Sequence, residues 1–202
     1  KSLFVVADNM RDGIDRLKLN SQDAEAIRLI SAGSVTVGDA DGQTDRGGDT
    51  KVINLGGTQT IKSNIDAGGE DLEIVADDID LRGTLRSSGA NLTVRGRIPD
   101  NAMIIGDIAG NIAPIQDNKV DPTTSLHIDR NELNNIQGGF DTVQIGQAAG
   151  ANGIWLLSEN KDNTISFKDN TVLNADGIGG EIYVGGDLTA PDLTFRGSGN
   201  TT

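Results

Sequence analysis

Short triplets of an apolar, a polar and an apolar residue recur along the chain and constrain its fold more than any other feature. Successive side chains of a β-strand point to opposite faces, so each triplet places two apolar residues on one face of a strand. Stripes with the helical period of an amphipathic helix are almost absent, and the sequence therefore predicts an all-β chain. The clearest triplets are Leu17–Leu19, Val35–Val37, Leu72–Ile74, Ile79–Leu81, Leu92–Val94, Leu126–Ile128, Val143–Ile145, Ile165–Phe167, Ile182–Val184 and Leu193–Phe195.

The spacing of the triplets predicts how the strands are arranged. Predicted strands begin at Val35, Ile53, Leu72 and Leu92, which are almost evenly spaced along the chain. From Leu72 to Ile98, apolar residues follow one another at steps of 7, 6, 7 and 6. A constant period is typical of a solenoid, and three short strands per turn of about 20 residues indicate a parallel β-helix with glycine or asparagine at its corners. The expected corner residues are Gly68, Gly69, Gly83, Gly89, Asn91 and Gly96.

The regular spacing is interrupted once, and this divides the chain into three parts of one solenoid. Residues 1–98 are predicted to form a first β-helix section, and residues 126–202 a second section of the same solenoid. Residues 99–125 contain three of the four prolines and are predicted to be an irregular loop that leaves the coil. Residues 22–30 also fit a short helix, although Ile27 and Leu29 equally form a strand triplet.

Charge and composition exclude several classes of function. Thirty acidic and 17 basic residues give a net charge of −13, which is the wrong sign for binding a nucleic-acid backbone. No apolar run approaches the roughly 20 residues that span a bilayer, so no membrane insertion by this segment is expected. The chain has no cysteine, which excludes disulfides, thiolate metal sites and cysteine nucleophiles. Because it starts at Lys1 without a signal-peptide pattern, we expect a mature chain or a part of a longer one.

Two regions resemble a known family. The runs IDAGGEDLEIVA (Ile65–Ala76), IDLRGTL (Ile79–Leu85) and SGANLTVRGRI (Ser88–Ile98) resemble the β-helical passenger repeats of filamentous-haemagglutinin-like exoproteins. The runs GFDTVQIGQAAG (Gly139–Gly150) and GEIYVGGDLTAPDLTF (Gly180–Phe195) are similar to segments of giant repetitive bacterial surface proteins. The resemblance implies a right-handed parallel β-helix from a large secreted or surface-attached bacterial protein. The Asn-rich boxes of that family's N-terminal secretion domain are not visible.

The resemblance also implies a class of function. Such proteins act in adhesion and cell contact, and their β-helical shafts often serve as spacers. We therefore expect a non-enzymatic structural or adhesive module outside the bacterial cell, with other cell-surface molecules or end-to-end copies of itself as partners. Two alternatives stay open, namely a self-assembling extracellular fibre subunit and a β-helical polysaccharide lyase or hydrolase domain.

Four aspartates form the strongest candidate ligand site. Asp39, Asp41, Asp45 and Asp49 lie in the glycine-rich segment from Val37 to Thr50. Hard oxygen ligands on such a loop suit Ca²⁺, although the match to an EF-hand loop is partial because its fifth and twelfth positions lack suitable ligands. The sequence therefore predicts either a calcium loop or a solvated turn, and no cofactor is predicted to be required.

The remaining polar and aromatic candidates lead to no predicted catalytic residue. His127 is the only histidine and lies in a strand triplet, where a surface or hydrogen-bonded histidine is the expected role. Asp77, Asp78 and Asp80 beside Arg82 could form the acidic cluster of a polysaccharide-cleaving enzyme, but their alternation along a strand argues against it. Trp155 and Tyr183 are expected to pack on the solenoid, with a carbohydrate contact as the alternative.

Overall fold

The chain forms parallel β-sheets, and most strands that are consecutive in sequence belong to different sheets. The structure, a computed structural model, describes residues 71–108, 120–149, 153–159 and 163–198, together with seven strands between residues 2 and 66. Before residue 58 only the backbone of those strands is described. The predominance of strands and their parallel pairing agree with the all-β prediction.

The described strands make up five sheets. In spatial order, the first sheet contains β1 (Ser2–Ala7), β2 (Ala26–Ser31), β5 (Asp49–Asn54), β8 (Leu72–Ala76), β11 (Asn91–Gly96), β14 (Thr142–Gly146), β17 (Thr171–Ala175) and β20 (Leu193–Gly197). The second contains β3 (Val35–Val37), β6 (Thr58–Ile61) and β9 (Asp78–Leu81), and the third β4 (Thr44–Arg46), β7 (Asn64–Asp66) and β10 (Leu85–Arg86). The fourth contains β13 (Leu126–Ile128), β12 (Met103–Gly106), β15 (Ile154–Leu157) and β18 (Ile182–Gly185), and the fifth β16 (Ile165–Ser166) and β19 (Leu188–Thr189).

A row of apolar residues crosses the whole first sheet at one register position. We call this row the apolar column; its members are Val5, Leu29, Val52, Ile74, Val94, Ile145, Leu173 and Phe195. Ile74, Ile145 and Leu173 are fully buried, whereas Phe195 at the end of the column is 38% exposed. Apolar residues at one register position form such a layer because each strand shields the apolar side chain of the preceding strand from water.

All five sheets contribute residues to a shared core. One cluster of buried apolar residues includes members of every strand from β6 to β18 and of helix α1 (Arg130–Asn135). A second, smaller cluster, containing Ile104, Val120, Trp155 and Leu157, joins the fourth sheet to the chain around residue 120. Strands β12 and β15 are consequently buried along their whole length.

The pairing register corrects the repeat length. Leu72 pairs with Leu92, as the predicted period requires, but the earlier first-sheet partners Leu3, Ile27, Thr50 and Leu72 are spaced more widely along the chain. The predicted step from Val35 to Ile53 was wrong, because these two residues lie in different sheets. The steps from Leu72 to Ile79 and Leu85 do match three successive strands, β8, β9 and β10.

We call the stretch of chain from one first-sheet strand to the next a turn. One turn is longer than the others because it contains extra elements. Leu92 and its partner Val143 are more than twice as far apart in sequence as Leu72 and Leu92, and the intervening chain contains β12, β13 and helix α1. Strand β12 lies inside residues 99–125, where the sequence predicts an irregular loop, so regular structure extends further than expected. Residues 26–31 form strand β2, and the helical alternative over residues 22–30 is therefore wrong.

Glycines with positive φ end two of these strands. Gly106 has φ of 106° and Gly146 has φ of 92°. A Cβ atom at Gly106 would lie 2.2 Å from the carbonyl oxygen of Leu157, and one at Gly146 would lie 2.3 Å from that of Asn174. Both positions therefore need glycine for its backbone conformation and for the close approach of the next strand.

Replacing Ile145 with alanine tests the apolar column. Ile145 is fully buried in the middle of the column, and its truncation should lower the free energy of unfolding by about 2–5 kcal/mol. Phe195→Ala, at the exposed end of the same column, is the matched control and should cost less than half as much. Urea unfolding of both variants measures the difference, and equal losses would contradict this account of the core.

Candidate functional site

Side chains from a distant part of the sequence bind the backbone at the end of strand β9. The carboxylate Oε1 of Glu132 accepts a hydrogen bond from Leu81 N (2.9 Å), and Asn135 Nδ2 donates to Leu81 O (2.8 Å). Asp78 Oδ1 accepts from His127 N (3.1 Å). Three side chains thus satisfy backbone groups that a neighbouring strand would otherwise bind. We call Asp78, Leu81, His127, Glu132 and Asn135 the junction.

Glu132 also fixes the start of helix α1. The side chain of Asp129 accepts from Glu132 N (2.8 Å), and Glu132 Oε2 accepts from Asp129 N (2.7 Å). This reciprocal pair is a capping box, which satisfies two donors at the helix N-terminus. The same carboxylate therefore caps the helix and anchors it to β9.

Burial changes the ionisation of Glu132. The residue is 8% exposed, and its desolvation raises the pKa of the carboxyl group to about 7, against the opposing effect of its two backbone donors. The nearby carboxylates of Asp129 and Asp78 raise this pKa further. Near neutral pH, the junction therefore contains a carboxyl group that is readily protonated.

Arg130 ties the helix to the ends of two strands. Its Nε donates to Asp107 Oδ1 (2.9 Å) and one terminal nitrogen to Asp107 Oδ2 (3.1 Å), which makes the ion pair bidentate. The hydrogen bond from Arg130 holds the pKa of Asp107 below its usual range, with a backbone donor adding to the effect. The terminal nitrogens also donate to Ser158 Oγ and to the carbonyl oxygens of Asn163 and Thr164.

Arg130 and the side chains of the junction hold helix α1 against the ends of neighbouring strands. Apart from the capping box, their hydrogen bonds run to protein atoms that are 21 to 54 residues away in sequence, so they join distant parts of the chain. Sequence reasoning missed Arg130 and Glu132. The spacing of Asp129 and Glu132, which is that of a capping box, was the available signal.

The structure does not reach the whole of the candidate calcium loop. Asp39 and Asp41 lie outside the described residues, and Asp45 and Asp49 are described only as backbone positions in β4 and β5. Among the residues whose side chains are described, no group of three or more histidine or acidic residues could hold a metal ion. Calcium binding by the four aspartates therefore stays a prediction, which calorimetry with calcium tests directly.

The acidic residues considered for polysaccharide cleavage have separate partners. Asp77 forms a bidentate pair with Arg97 (2.8 and 3.0 Å). Asp80 is bound by Arg82 Nε at 2.9 Å, whereas Asp78 belongs to the junction. Each of the three carboxylates thus has a different partner, which lies two residues away for Asp80 and 20 or more residues away for Asp77 and Asp78.

The histidine and the two aromatic residues share one face of the fourth sheet. By register, His127, Ile104, Trp155 and Tyr183 lie side by side on β13, β12, β15 and β18. His127 Nε2 donates a hydrogen bond to the carbonyl oxygen of Gly106 (2.8 Å). The rings of Trp155 and Tyr183 lie 5.2 Å apart and are tilted by 34°, and Trp155 is only 8% exposed. This face is therefore a packed layer, with the half-buried His127 and Tyr183 at its two ends.

Comparison with known proteins adds no identification. No protein family, no curated protein and no solved structure matches the chain. The resemblance to filamentous-haemagglutinin-like proteins thus stays a prediction. In the described part of the chain, no helix is long and apolar enough to cross a membrane.

Glu132 should make the stability of the protein depend on pH. Because folding raises its pKa from 4.5 to about 7, its contribution to stability is complete below pH 4.5 and is lost as the pH rises through about 7. Glu132→Gln cannot ionise. As the pH rises from acidic to mildly alkaline values, the unfolding free energy of this variant should therefore increase by up to about 3 kcal/mol relative to that of the wild type.

Urea unfolding at a series of pH values measures this difference. Glu181→Gln, which removes an exposed carboxylate, is the matched control and should differ from the wild type by a nearly constant amount. If the Glu132→Gln difference is also constant across pH, the burial of a readily protonated carboxyl group at the junction is refuted.

Proposed function

We propose that this chain is a non-enzymatic structural or adhesive module, a right-handed parallel β-helix from a large bacterial secreted or cell-surface protein, in which it acts as a rigid shaft or contact surface. The observation that carries the proposal is the first sheet, whose eight parallel strands follow chain order without a break. A chain that returns to the same sheet after each excursion is built in the manner of a solenoid.

The path between first-sheet strands supports a β-helix. From β8 the chain runs through β9 in the second sheet and β10 in the third before it returns to the first sheet as β11. Parallel crossover connections are nearly always right-handed because of the twist of the strands. Neighbouring strands lie about 4.8 Å apart, so the eight first-sheet strands cover about 34 Å along the axis.

Contacts between neighbouring turns support a stiff module. Arg95 binds Glu73 at 2.8 Å and Arg97 binds Asp77 at 2.8 Å, each bridging from the strand or corner of one turn to the next. Corner residues add further bridges, since Asn91 N donates to Asp71 Oδ1 at 2.8 Å. Polar side chains on the described surface are thus used to connect turns, which suits a shaft.

The proposal of a non-enzymatic role draws on how the acidic residues are used. Asp77, Asp78 and Asp80, the candidates for acid and base catalysis, each hold a structural contact. The net charge of −13 keeps such a module soluble and discourages side-by-side association. The extracellular location is proposed from the family resemblance.

Pulling the chain between its two ends with a single-molecule force probe tests the shaft. If each turn contacts only its neighbours, the turns should unfold one at a time. An ordinary turn, such as the one from Leu72 to Leu92 or the one from Val143 to Thr171, should lengthen the chain by about 70–100 Å when it unfolds. Ile145→Ala should lower the force of one step and leave the others unchanged.

Two outcomes would contradict the proposal. A single extension that releases the whole chain at once would show that the turns are not independent units, and a β-helical shaft would be rejected. Release of reducing ends or unsaturated uronates from acidic polysaccharides by the purified protein would instead show an enzyme, as the lyase or hydrolase alternative requires.

A further inference from the structure

Strand β9 is joined to its two neighbours in different ways. On one side it pairs with β6 over four residues, from Asp78 opposite Thr58 to Leu81 opposite Ile61. On its other side it contacts β13 and helix α1, and among the described residues no backbone-to-backbone hydrogen bond joins it to either of them. We call this second contact, between β9 and residues 127–135, the seam.

Side chains close the seam. Among the described residues, its hydrogen bonds run from Leu81 N to Glu132, from Asn135 to Leu81 O, and from His127 N to Asp78. Two of the three come from helix α1 and meet at Leu81. A β-ladder would distribute the connection over several residues, whereas the polar contact of α1 with β9 depends on Glu132 and Asn135.

Glu132 occupies the seam without an opposite charge. It is 8% exposed, and within the described part of the chain no basic side chain forms an ion pair with it. Arg130, the closest base in sequence, is paired with Asp107. When Glu132 ionises in the closed seam, the hydrogen bonds from Leu81 N and Asp129 N must therefore stabilise its charge.

The other charged groups around the helix do not supply the missing positive charge. They are Asp78 and Asp80 on β9, Arg82 after β9, His127 on β13, Asp107 after β12, Asp129 and Arg130 at the start of the helix, and Lys168 after β16. Arg82 pairs with Asp80, Lys168 binds the carbonyl oxygen of Asn134, and His127 Nε2 binds that of Gly106. The bases are thus engaged elsewhere.

We propose that the seam is a pH-sensitive latch, in which helix α1 is closed on β9 at mildly acidic pH and detaches locally as the pH rises towards neutral, while the first sheet stays folded. Detachment returns the Glu132 carboxylate to water, where its ionisation has no desolvation cost. Arg130 ties the start of the helix to Asp107, so the movement is a local opening. This inference goes beyond the proposed shaft and does not rest on it.

The effect of pH on the latch has a defined sign and size. Burial raises the pKa of Glu132 from 4.5 to about 7 in the closed state, so the stabilisation of that state is complete below pH 4.5 and is lost as the pH rises through about 7. The equilibrium constant for opening should increase about tenfold per pH unit between these values and then level off. From pH 5 to pH 8 the total increase should be about 50- to 100-fold.

Thiol labelling measures the opening, because the chain has no cysteine of its own. Leu133→Cys places a thiol on the buried side of α1, where Leu133 is 5% exposed, and Leu173→Cys in the fully buried position of β17 is the matched control. Each labelling rate is divided by that of the urea-unfolded variant at the same pH, which removes the effect of thiol ionisation. Leu133→Cys should label about tenfold or more faster than Leu173→Cys at every pH, and low urea should hardly change its rate because a local opening exposes little surface.

The role of Glu132 is tested by combining substitutions. The normalised labelling rate of Leu133→Cys should rise about 50- to 100-fold from pH 5 to pH 8, and adding Glu132→Gln should abolish this rise because glutamine does not ionise. Adding Glu181→Gln, which removes an exposed carboxylate, should leave the rise unchanged.

Hydrogen exchange of the Leu81 amide gives the same information without a cysteine, and it decides the question if Leu133→Cys fails to fold by circular dichroism. This N–H binds the Glu132 carboxylate. Its protection factor, corrected for intrinsic exchange, should fall from pH 5 to pH 8 in the wild type and stay level in Glu132→Gln.

Two results would overturn the inference. Labelling of Leu133→Cys that is as slow as that of Leu173→Cys would show that α1 opens only with the whole chain. An equal rise with pH in the presence and absence of Glu132→Gln would show that Glu132 does not control the opening. Neither result bears on the shaft proposal, which the force experiment tests independently.

Discussion

Parallel pairing in strict register is the constraint on which the rest of the structure depends. A slip of one residue in any first-sheet strand would move its member of the apolar column to the outer face. Ile74, Val94, Ile145 and Leu173 are buried because every one of these strands keeps the same register. The same alignment is needed for the corners, for the ion pairs between turns and for the close approach of the next strand to Gly106 and Gly146.

The long turn between Leu92 and Val143 shows how the register survives an insertion. The added strands and helix displace the path of the chain, yet β14 still pairs with β11 in the register of the other turns. Glu132 and Asn135 bind the N–H and carbonyl groups of Leu81, which keeps the end of β9 hydrogen-bonded. Side chains here replace a neighbouring strand, so the sheet beside them can stop without leaving buried polar groups unsatisfied.

The sequence predicted strands best where one face of a strand is buried. Triplets such as Leu92–Val94 alternate because only one face meets the core. Strand β12 was missed because both of its faces are buried, which leaves Met103–Gly106 without alternation. Helix α1 is only six residues long, too short for a helical period to be visible. Apart from the capping box, the partners of Arg130 and Glu132 are 23 or more residues away in sequence, so only the capping pattern of the candidate site was readable from sequence.

Amide hydrogen exchange tests the central role of the register most directly. Protection depends on the free energy of opening each hydrogen-bonded strand, so the account predicts the slowest exchange in β8, β11, β14 and β17, whose apolar-column residues are buried between two neighbouring strands. Exchange should be markedly faster in β20, where Phe195 ends the column. Uniform protection across all of these strands, or the slowest exchange in β20, would contradict the account.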